Sequence, residues 1–336
     1  MNNHETLMRR AIAMAETART RARPNPWVGA VLVCADGSVH EGSTSEPGGP
    51  HAEIVALESA RQRGHSTVNA TLYSTLEPCS HTGRTGPCTM AIIDAGITRV
   101  VTALEDPDNK VCGQGHAALR NAGIDVVTDV CASEVREQLA AYICHRRTNR
   151  PYVTLKMAVT MDGCATIPGR QWITGERART RVHELRADAD VIVTGMGTIR
   201  ADNPKLTVRH VDGRSPRRVV LTSVGSTVPT DAAVQPCAQW SESLEALLDE
   251  CGSNGDIHLM VEAGPKVARS FHVQGLVDRY VFHVAPVLCA DSSALPAFDG
   301  LPAHTANDMW RGALAGITVL DQDIEVILER RKETTS

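Results

Sequence analysis

Aromatic side chains are scarce in this 336-residue chain: Phe, Trp and Tyr together supply 3% of it. Its cores therefore have to be built from Val, Ile, Leu, Ala and Met. Long apolar runs are missing too, and none approaches the ~18 residues of a membrane span. A cationic excess is also absent. Lys and Arg number 34 against 39 Asp and Glu, a net charge of −5, which excludes the broad basic surface that nucleic acid requires but leaves room for one local basic pocket for a phosphate. The N-terminal stretch carries charges throughout and has no apolar segment of the signal-peptide kind. It reads as an amphipathic helix. Nor are the ten cysteines, Cys34, Cys79, Cys88, Cys112, Cys131, Cys144, Cys164, Cys237, Cys251 and Cys289, packed as densely as a small secreted disulfide scaffold would have them. A reducing cytoplasm is the expected setting, with most of these cysteines acting as small buried hydrophobes.

What is present is ordinary globular composition, 42% apolar and 22% charged, in a length that predicts about two domains. In the first half, WVGAVLVCADGSVHEG reads as two strands joined at Asp36-Gly37. HAEIVALESARQRG reads as a helix stopped by Gly64. TLYSTL is a strand, TMAIIDAG a helix, TRVVTAL a strand, HAALRNAG and IDVVT a helix–strand pair, and ASEVREQLAAYICHR one longer helix. Such alternation predicts a three-layer α/β domain to about residue 147. The break falls at Arg147-Thr148-Asn149-Arg150-Pro151. Beyond it, PYVTLKMAVT, ADVIVTG, RRVVLTS, DIHLMVEAG, DRYVFHVAPVL and DIEVILERR read as strands. GERARTRVHELRADA, SLEALLDECG and PKVARSFHVQG read as helices.

The strongest chemical signal is His51-Ala52-Glu53 followed by the segment from Pro78-Cys79 to Pro87-Cys88. One imidazole and two thiolates give three N/S ligands for zinc and leave a fourth position open, the pattern of a catalytic site. Zinc lowers the pKa of a water molecule bound there to about 7. Glu53, two residues from a ligand and not needed as one, can pass a proton from water to a leaving amine. This is the His-x-Glu … Pro-Cys logic of zinc deaminases, here with eight residues between the cysteines. His51 and Cys88 each open a predicted helix, where the partial positive charge favours thiolate. Two other readings stay open: three unrelated residues, or a closed structural zinc site with His81 as fourth ligand. At whole-chain level the rivals are another base or nucleoside deaminase with an unrelated second domain, and a zinc-stapled nucleotide-binding module.

On these residues the sequence resembles the bifunctional deaminase/reductase family of riboflavin biosynthesis. The resemblance rests on Pro24-Asn25-Pro26, Val28-Gly29-Ala30, His51-Ala52-Glu53 and the Pro78–Cys88 segment in the first half. In the second half it rests on Pro151 to Lys156, Met161-Asp162-Gly163, Trp172-Ile173-Thr174, Gly197-Thr198 and Ala201-Asp202-Asn203-Pro204. It implies an N-terminal cytidine-deaminase-like three-layer α/β/α domain, residues 1–147, acting as a zinc-dependent pyrimidine deaminase. It also implies a C-terminal dihydrofolate-reductase-like α/β domain, residues 150–336, acting as an NADPH-dependent reductase. His51, Cys79 and Cys88 would hold one zinc, with Glu53 as proton carrier. Asn25, His81 and Arg84 would meet the pyrimidine substrate or its phosphate.

In the second half the resemblance implies NADPH contacts from Val159, Trp172, Thr198, Asp202 and Ser223, and from Gly264, Pro265, Lys266, Val267, Ala268, Arg269 and Ser270. Substrate contacts would come from Lys156, Arg170, Arg186, Leu206, Arg209 and Glu262. A lysine in the apolar strand LKMAV is costly without a partner or ligand, so Lys156 reads as an active-site residue. The plainer readings are a snorkelling lysine, core packing for Trp172, a helix-face charge for Arg186, and a cap or turn residue for Asp202 and Asn25. The partner implied is a small phosphorylated pyrimidine, with no nucleic acid and no membrane, and a homo-oligomer, dimer or tetramer, is expected. The chain departs from the family at Ala263 (usually Gly), Thr44 (a His in some members), Arg170 (often Ser) and Cys164 (often Lys). If position 263 needs positive φ, Ala263 would cost about 1–2 kcal/mol.

Overall fold

The computed structural model describes residues 3–80, 86–108, 112–300 and 309–330. It divides into two compact units, Met1–Thr148 and Asn149–Ser336.

In the first unit the elements run α1 (Asn3–Glu16), β1 (Gly29–Val33), β2 (Val39–Ser43), α2 (Ala52–Gln62), β3 (Thr71–Leu76), α3 (Cys88–Asp94), β4 (Arg99–Leu104), α4 (Gln114–Asn121), β5 (Asp125–Val127), α5 (Ala132–Gln138) and α6 (Ala140–Thr148). The sheet order is β2-β1-β3-β4-β5. Strand β1 is antiparallel to both neighbours, and β3, β4 and β5 are mutually parallel. Gly37, at φ +85°, makes the β1–β2 turn in a conformation that glycine adopts without strain.

Two other glycines set the layers. Gly29 pairs with Ser43 and Ala30 with Gly42, so Gly29 and Gly42 face opposite sides of the sheet. A Cβ on Gly29 would lie 1.9 Å from Ala11 O of α1, and one on Gly42 would lie 2.2 Å from Ala52 O of α2. Each helix therefore lies directly on backbone, one per face, giving α/β/α layering. Gly42 fixes the first turn of α2, the turn that follows His51. Gly42→Ala is expected to cost about 1–3 kcal/mol by overpacking, read as a lower urea midpoint for this unit at unchanged slope.

The single helix predicted from Ala132 onward is two helices. The chain turns at Leu139 (φ −97°, ψ 17°), which is fully buried with Val135 before it and Tyr142 after it. The turn lets apolar positions that a straight helix would spread around its surface share one core.

The second unit runs β6 (Tyr152–Thr160), α7 (Glu176–Ala187), β7 (Val191–Gly195), α8 (Met196–Asp202), β8 (Arg217–Leu221), β9 (Ala238–Trp240), α9 (Leu244–Ser253), β10 (His258–Val261), α10 (Pro265–Val273), β11 (Arg279–Ala285), β12 (Gly312–Leu320) and β13 (Asp323–Arg330). Its eight-stranded sheet has the order β12-β13-β11-β6-β10-β7-β8-β9. The part from β11 to β9 is parallel, and β13 and β12 join antiparallel.

The two-residue period of β6 explains its near-continuous apolar sequence. Val153, Leu155, Met157 and Val159 pack on one face with Leu244, Leu247 and Leu248 of α9 and Phe271 of α10. The residues between them point to the face covered by α7, where Val182, Leu185, Met260 and Val281 pack. Lys156 lies on that second face, opposite Val281 in register.

Candidate active sites

In the first unit the chain brings His51, Cys79 and Cys88 together from three places. His51 is the residue before α2, with extended backbone. Cys79 follows β3, and Cys88 opens α3. His51 Nδ1 lies 3.2 Å from Cys88 Sγ and 3.6 Å from Cys79 Sγ, while the Cys88 backbone N–H donates to Cys79 Sγ at 3.3 Å. The three donor atoms all fall within 4.8 Å of one another. Two sulfurs and an imidazole nitrogen this close fit a zinc ion and leave its fourth position to other ligands.

Glu53, in the first turn of α2, is 3% exposed. Burial pushes its pKa up to about 7, against the pull of His51. The hydrogen bond with Cys79 raises His51 to about 8. Hydrogen bonding from Cys88 first, and then from His51, lowers Cys79 to about 4, and the same thiol pairing raises Cys88. The cluster thus already favours one thiolate. Asn25 sits half-buried in a turn, its N–H on Ala22 O at 3.0 Å. His81 and Arg84 lie outside the described residues.

In the second unit a cavity of about 700 Å³ opens over the C-terminal ends of β6, β7 and β10. Of the residues expected to meet cofactor, Trp172, Thr198, Asp202, Gly264, Pro265, Lys266 and Val267 line it. Of those expected to meet substrate, Lys156, Arg170, Arg186, Arg209 and Glu262 do. Thr198 Oγ1 accepts the Gly264 N–H at 3.0 Å, joining the starts of α8 and α10. The rest stand elsewhere. Val159 and Ala268 are packed in one apolar layer, and Leu206, 2% exposed at φ +52°, in the other. Ser223 is exposed beyond β8. Arg269 runs against Gly300, and Ser270 Oγ bonds Lys266 O; none of these six is in the cavity wall.

Arg186 is not a free cation awaiting a phosphate. Its Nε and Nη2 form a two-pronged pair with Glu262 at 2.8 and 2.7 Å, and its Nη1 donates to Thr207 O at 3.1 Å. Lys156 is 8% exposed and has no hydrogen-bond partner among the described residues. Burial, then Arg186, lowers its pKa, while Glu262 and Glu325 oppose this. The wall is cationic on balance, with Lys156, Arg170, Arg179, Arg186, Arg209 and Lys266 against Asp202, Glu262 and Asp299.

Two wall residues escaped the sequence reading. Arg179 stacks over the half-exposed Trp172 ring at 5.5 Å. His183 Nδ1 accepts the Arg209 N–H at 3.2 Å; burial, then Arg186, lowers its pKa to about 4, so the ring stays neutral. The available signal was the spacing of Arg179, Val182, His183 and Arg186, one face of a helix.

Comparison with known proteins follows this division. Residues 1–104 match the family model described as the cytidine and deoxycytidylate deaminase zinc-binding region, and residues 151–326 match the RibD C-terminal domain. The riboflavin biosynthesis protein RibD of Aquifex aeolicus is 37% identical over 317 residues, 86% of this chain and 88% of that protein. The Acinetobacter baumannii RibD structure superposes with a TM-score of 0.89 at 31% identity, covering 98% of this chain and 99% of that one. A Thermotoga maritima structure described as a diaminohydroxyphosphoribosylaminopyrimidine deaminase/5-amino-6-(5-phosphoribosylamino)uracil reductase gives 0.88 at 32% identity, with the same coverage. The chain belongs to the RibD family.

A zinc-binding deaminase half and a RibD reductase half imply zinc and a nucleotide cofactor. Against that family the chain's departures can be placed. Ala263 is not among the residues at positive φ, so the cost considered for it does not arise; its methyl packs against the apolar layer under the cavity. Thr44 is buried, its hydroxyl accepting the Val28 N–H at 2.9 Å, so it holds the start of β1. Arg170 stands exposed at the cavity rim.

Proposed function

We propose that this chain is a bifunctional enzyme of riboflavin biosynthesis whose two units carry out consecutive reactions. The first unit hydrolytically deaminates 2,5-diamino-6-ribosylamino-4(3H)-pyrimidinone 5′-phosphate. The second reduces the ribosyl group of 5-amino-6-(5-phosphoribosylamino)uracil to ribityl with NADPH. The observation that carries the reading is the His51–Cys79–Cys88 cluster with a buried carboxylate, Glu53, beside it.

His51, Cys79 and Cys88 hold one zinc, which supplies Lewis acidity at neutral pH when bound. Glu53 takes one proton from the attacking water and gives it to the ring nitrogen, then carries the second, from the hydroxyl now on the ring carbon, to the departing ammonia. Such acid–base transfer contributes ~10²–10⁴-fold to rate. Asn25, His81 and Arg84 orient the pyrimidine and its phosphate. In the second unit NADPH supplies the hydride when bound, with Thr198, Gly264 and Trp172 at its place in the wall. The cationic wall suits two phosphorylated ligands. Because Glu262 already occupies Arg186, the substrate phosphate falls to Arg209 and Arg170, and Lys156 meets the sugar. A homo-oligomer in the cytoplasm completes the reading.

The test is to feed the diaminopyrimidine phosphate and follow ammonia and NADPH separately. Ammonia should appear first and NADPH should be consumed in equal amount. Stripping zinc with a chelator should abolish ammonia release and leave NADPH oxidation on the deaminated compound intact. Ammonia release that survives complete removal of zinc would overturn the assignment of the first unit.

A further inference from the structure

Glu77, two residues before Cys79, is 4% exposed and its carboxylate is fully engaged. Oε1 accepts the backbone N–H groups of Gly115 at 2.7 Å and His116 at 3.1 Å. Oε2 accepts those of Gly113 at 2.9 Å and Asp106 at 3.1 Å. A second contact joins the same two segments: a Cβ on Gly115 would stand 2.0 Å from Pro78 O. The end of β3 and the start of α4 are therefore locked together at the peptide that leads into Cys79. On its other side Cys79 is tied by its carbonyl, which accepts the Thr89 N–H at 3.2 Å.

Glu77, Glu105 and His116 also bring three metal-competent groups within 4.8 Å, and His116 Nδ1 is buried with no hydrogen-bond partner among the described residues. A second cation site does not follow. Each Glu77 oxygen already receives two N–H donors, so neither has a lone pair to give. The carboxylate acts on the backbone around it.

We propose that Glu77 is a positioning residue for the metal cluster: by gathering four backbone N–H groups it fixes the Pro78–Cys79 peptide, and so holds Cys79 Sγ within reach of His51 and under the Cys88 N–H. This rests on reading His51, Cys79 and Cys88 as zinc ligands. The charge and acceptor count both matter. An amide in place of the carboxylate turns an NH₂ group toward two of the four donors, and the loop must move to relieve this. Partners that orient metal ligands from behind are worth about 10–100-fold in metal affinity.

The experiment compares full-length wild type with Glu77→Gln, Glu77→Asp and Gly115→Ala. Zinc affinity is read by competition with a chromophoric chelator, and geometry by the thiolate-to-cobalt absorption of the cobalt(II)-loaded chain. NADPH oxidation by the second unit reports that the rest of the chain is intact. Glu77→Gln should bind zinc about 10–100-fold more weakly and show an altered cobalt spectrum. Glu77→Asp, which keeps the four-acceptor carboxylate, should recover part of both. Gly115→Ala, which pushes on Pro78 O with no change of charge, should alter the cobalt spectrum in the same sense. Wild-type zinc affinity and an unchanged spectrum in Glu77→Gln would overturn the proposal. Should that variant's first unit fail to fold, the same wild-type behaviour in Gly115→Ala overturns it. Failure of the wild-type chain to bind zinc would instead sink the reading of the cluster.

Discussion

Glu53→Gln should retain zinc at the wild-type level, lose about 10²–10⁴-fold in ammonia release, and oxidise NADPH on the deaminated substrate at the wild-type rate. The three parts of this result have separate physical origins. Glu53 is not among the clustered donor atoms, so an amide of the same size leaves the ligand set untouched. The amide has no proton to give and accepts none at neutral pH, so the step that needs a shuttle between water, ring nitrogen and leaving ammonia is the one that suffers. Every described residue that lines the reductase cavity belongs to the second unit, so its chemistry has no use for Glu53. Metal content by atomic absorption, ammonia by a coupled assay and NADPH by absorbance would check the three parts independently. Deaminase turnover undiminished in the variant would remove Glu53 from the reaction.

That Glu53 could be singled out from sequence, while Glu77 could not, follows from what each does. Glu53 sits at fixed spacing from a ligand, and its role depends on local helix geometry. Glu77 works through four N–H groups 29 to 39 residues away, and the parallel pairing of β3 with β4 helps bring them to it. The same contrast holds in the second unit. β6 and β10 were readable because strands buried on both faces are almost unbroken apolar runs. β12 was not, because Leu314, Ile317 and Val319 are all exposed and its small residues give no inward–outward alternation. Lys156 was legible as an anomaly in an apolar strand. The pairing of Arg186 with Glu262 was not, since the two are 76 residues apart and each looks like a free site charge.

That pairing sets the largest stability effect expected in the second unit. The Arg186 side chain is 9% exposed and that of Glu262 21%, so both charges were largely taken out of water to meet. Burial alone would raise the Glu262 pKa; attraction and hydrogen bonding from Arg186, helped by Lys156, outweigh it and hold the carboxyl below its ordinary value. A group depressed in the folded state contributes fully above its unfolded pKa, about 4.3, and loses that contribution as pH falls through the folded value. The second unit should therefore weaken on acidification below about pH 4. Glu262→Gln imposes the same loss at neutral pH, leaving Arg186 buried without its paired charge and Lys156 with the weaker attraction of Glu325, at a cost of about 3–5 kcal/mol. Replacing both partners by apolar residues of similar volume should return part of the stability, because Arg186 no longer stands as an orphan charge and Lys156 keeps the attraction of Glu325, yet leave NADPH oxidation lost, since the cavity wall would have neither group. Urea unfolding followed by the fluorescence of Trp172, Trp240 and Trp310, together with NADPH turnover, separates the two effects. If Glu262→Gln unfolds within 1 kcal/mol of wild type, the pair is not the buried clamp that its geometry describes.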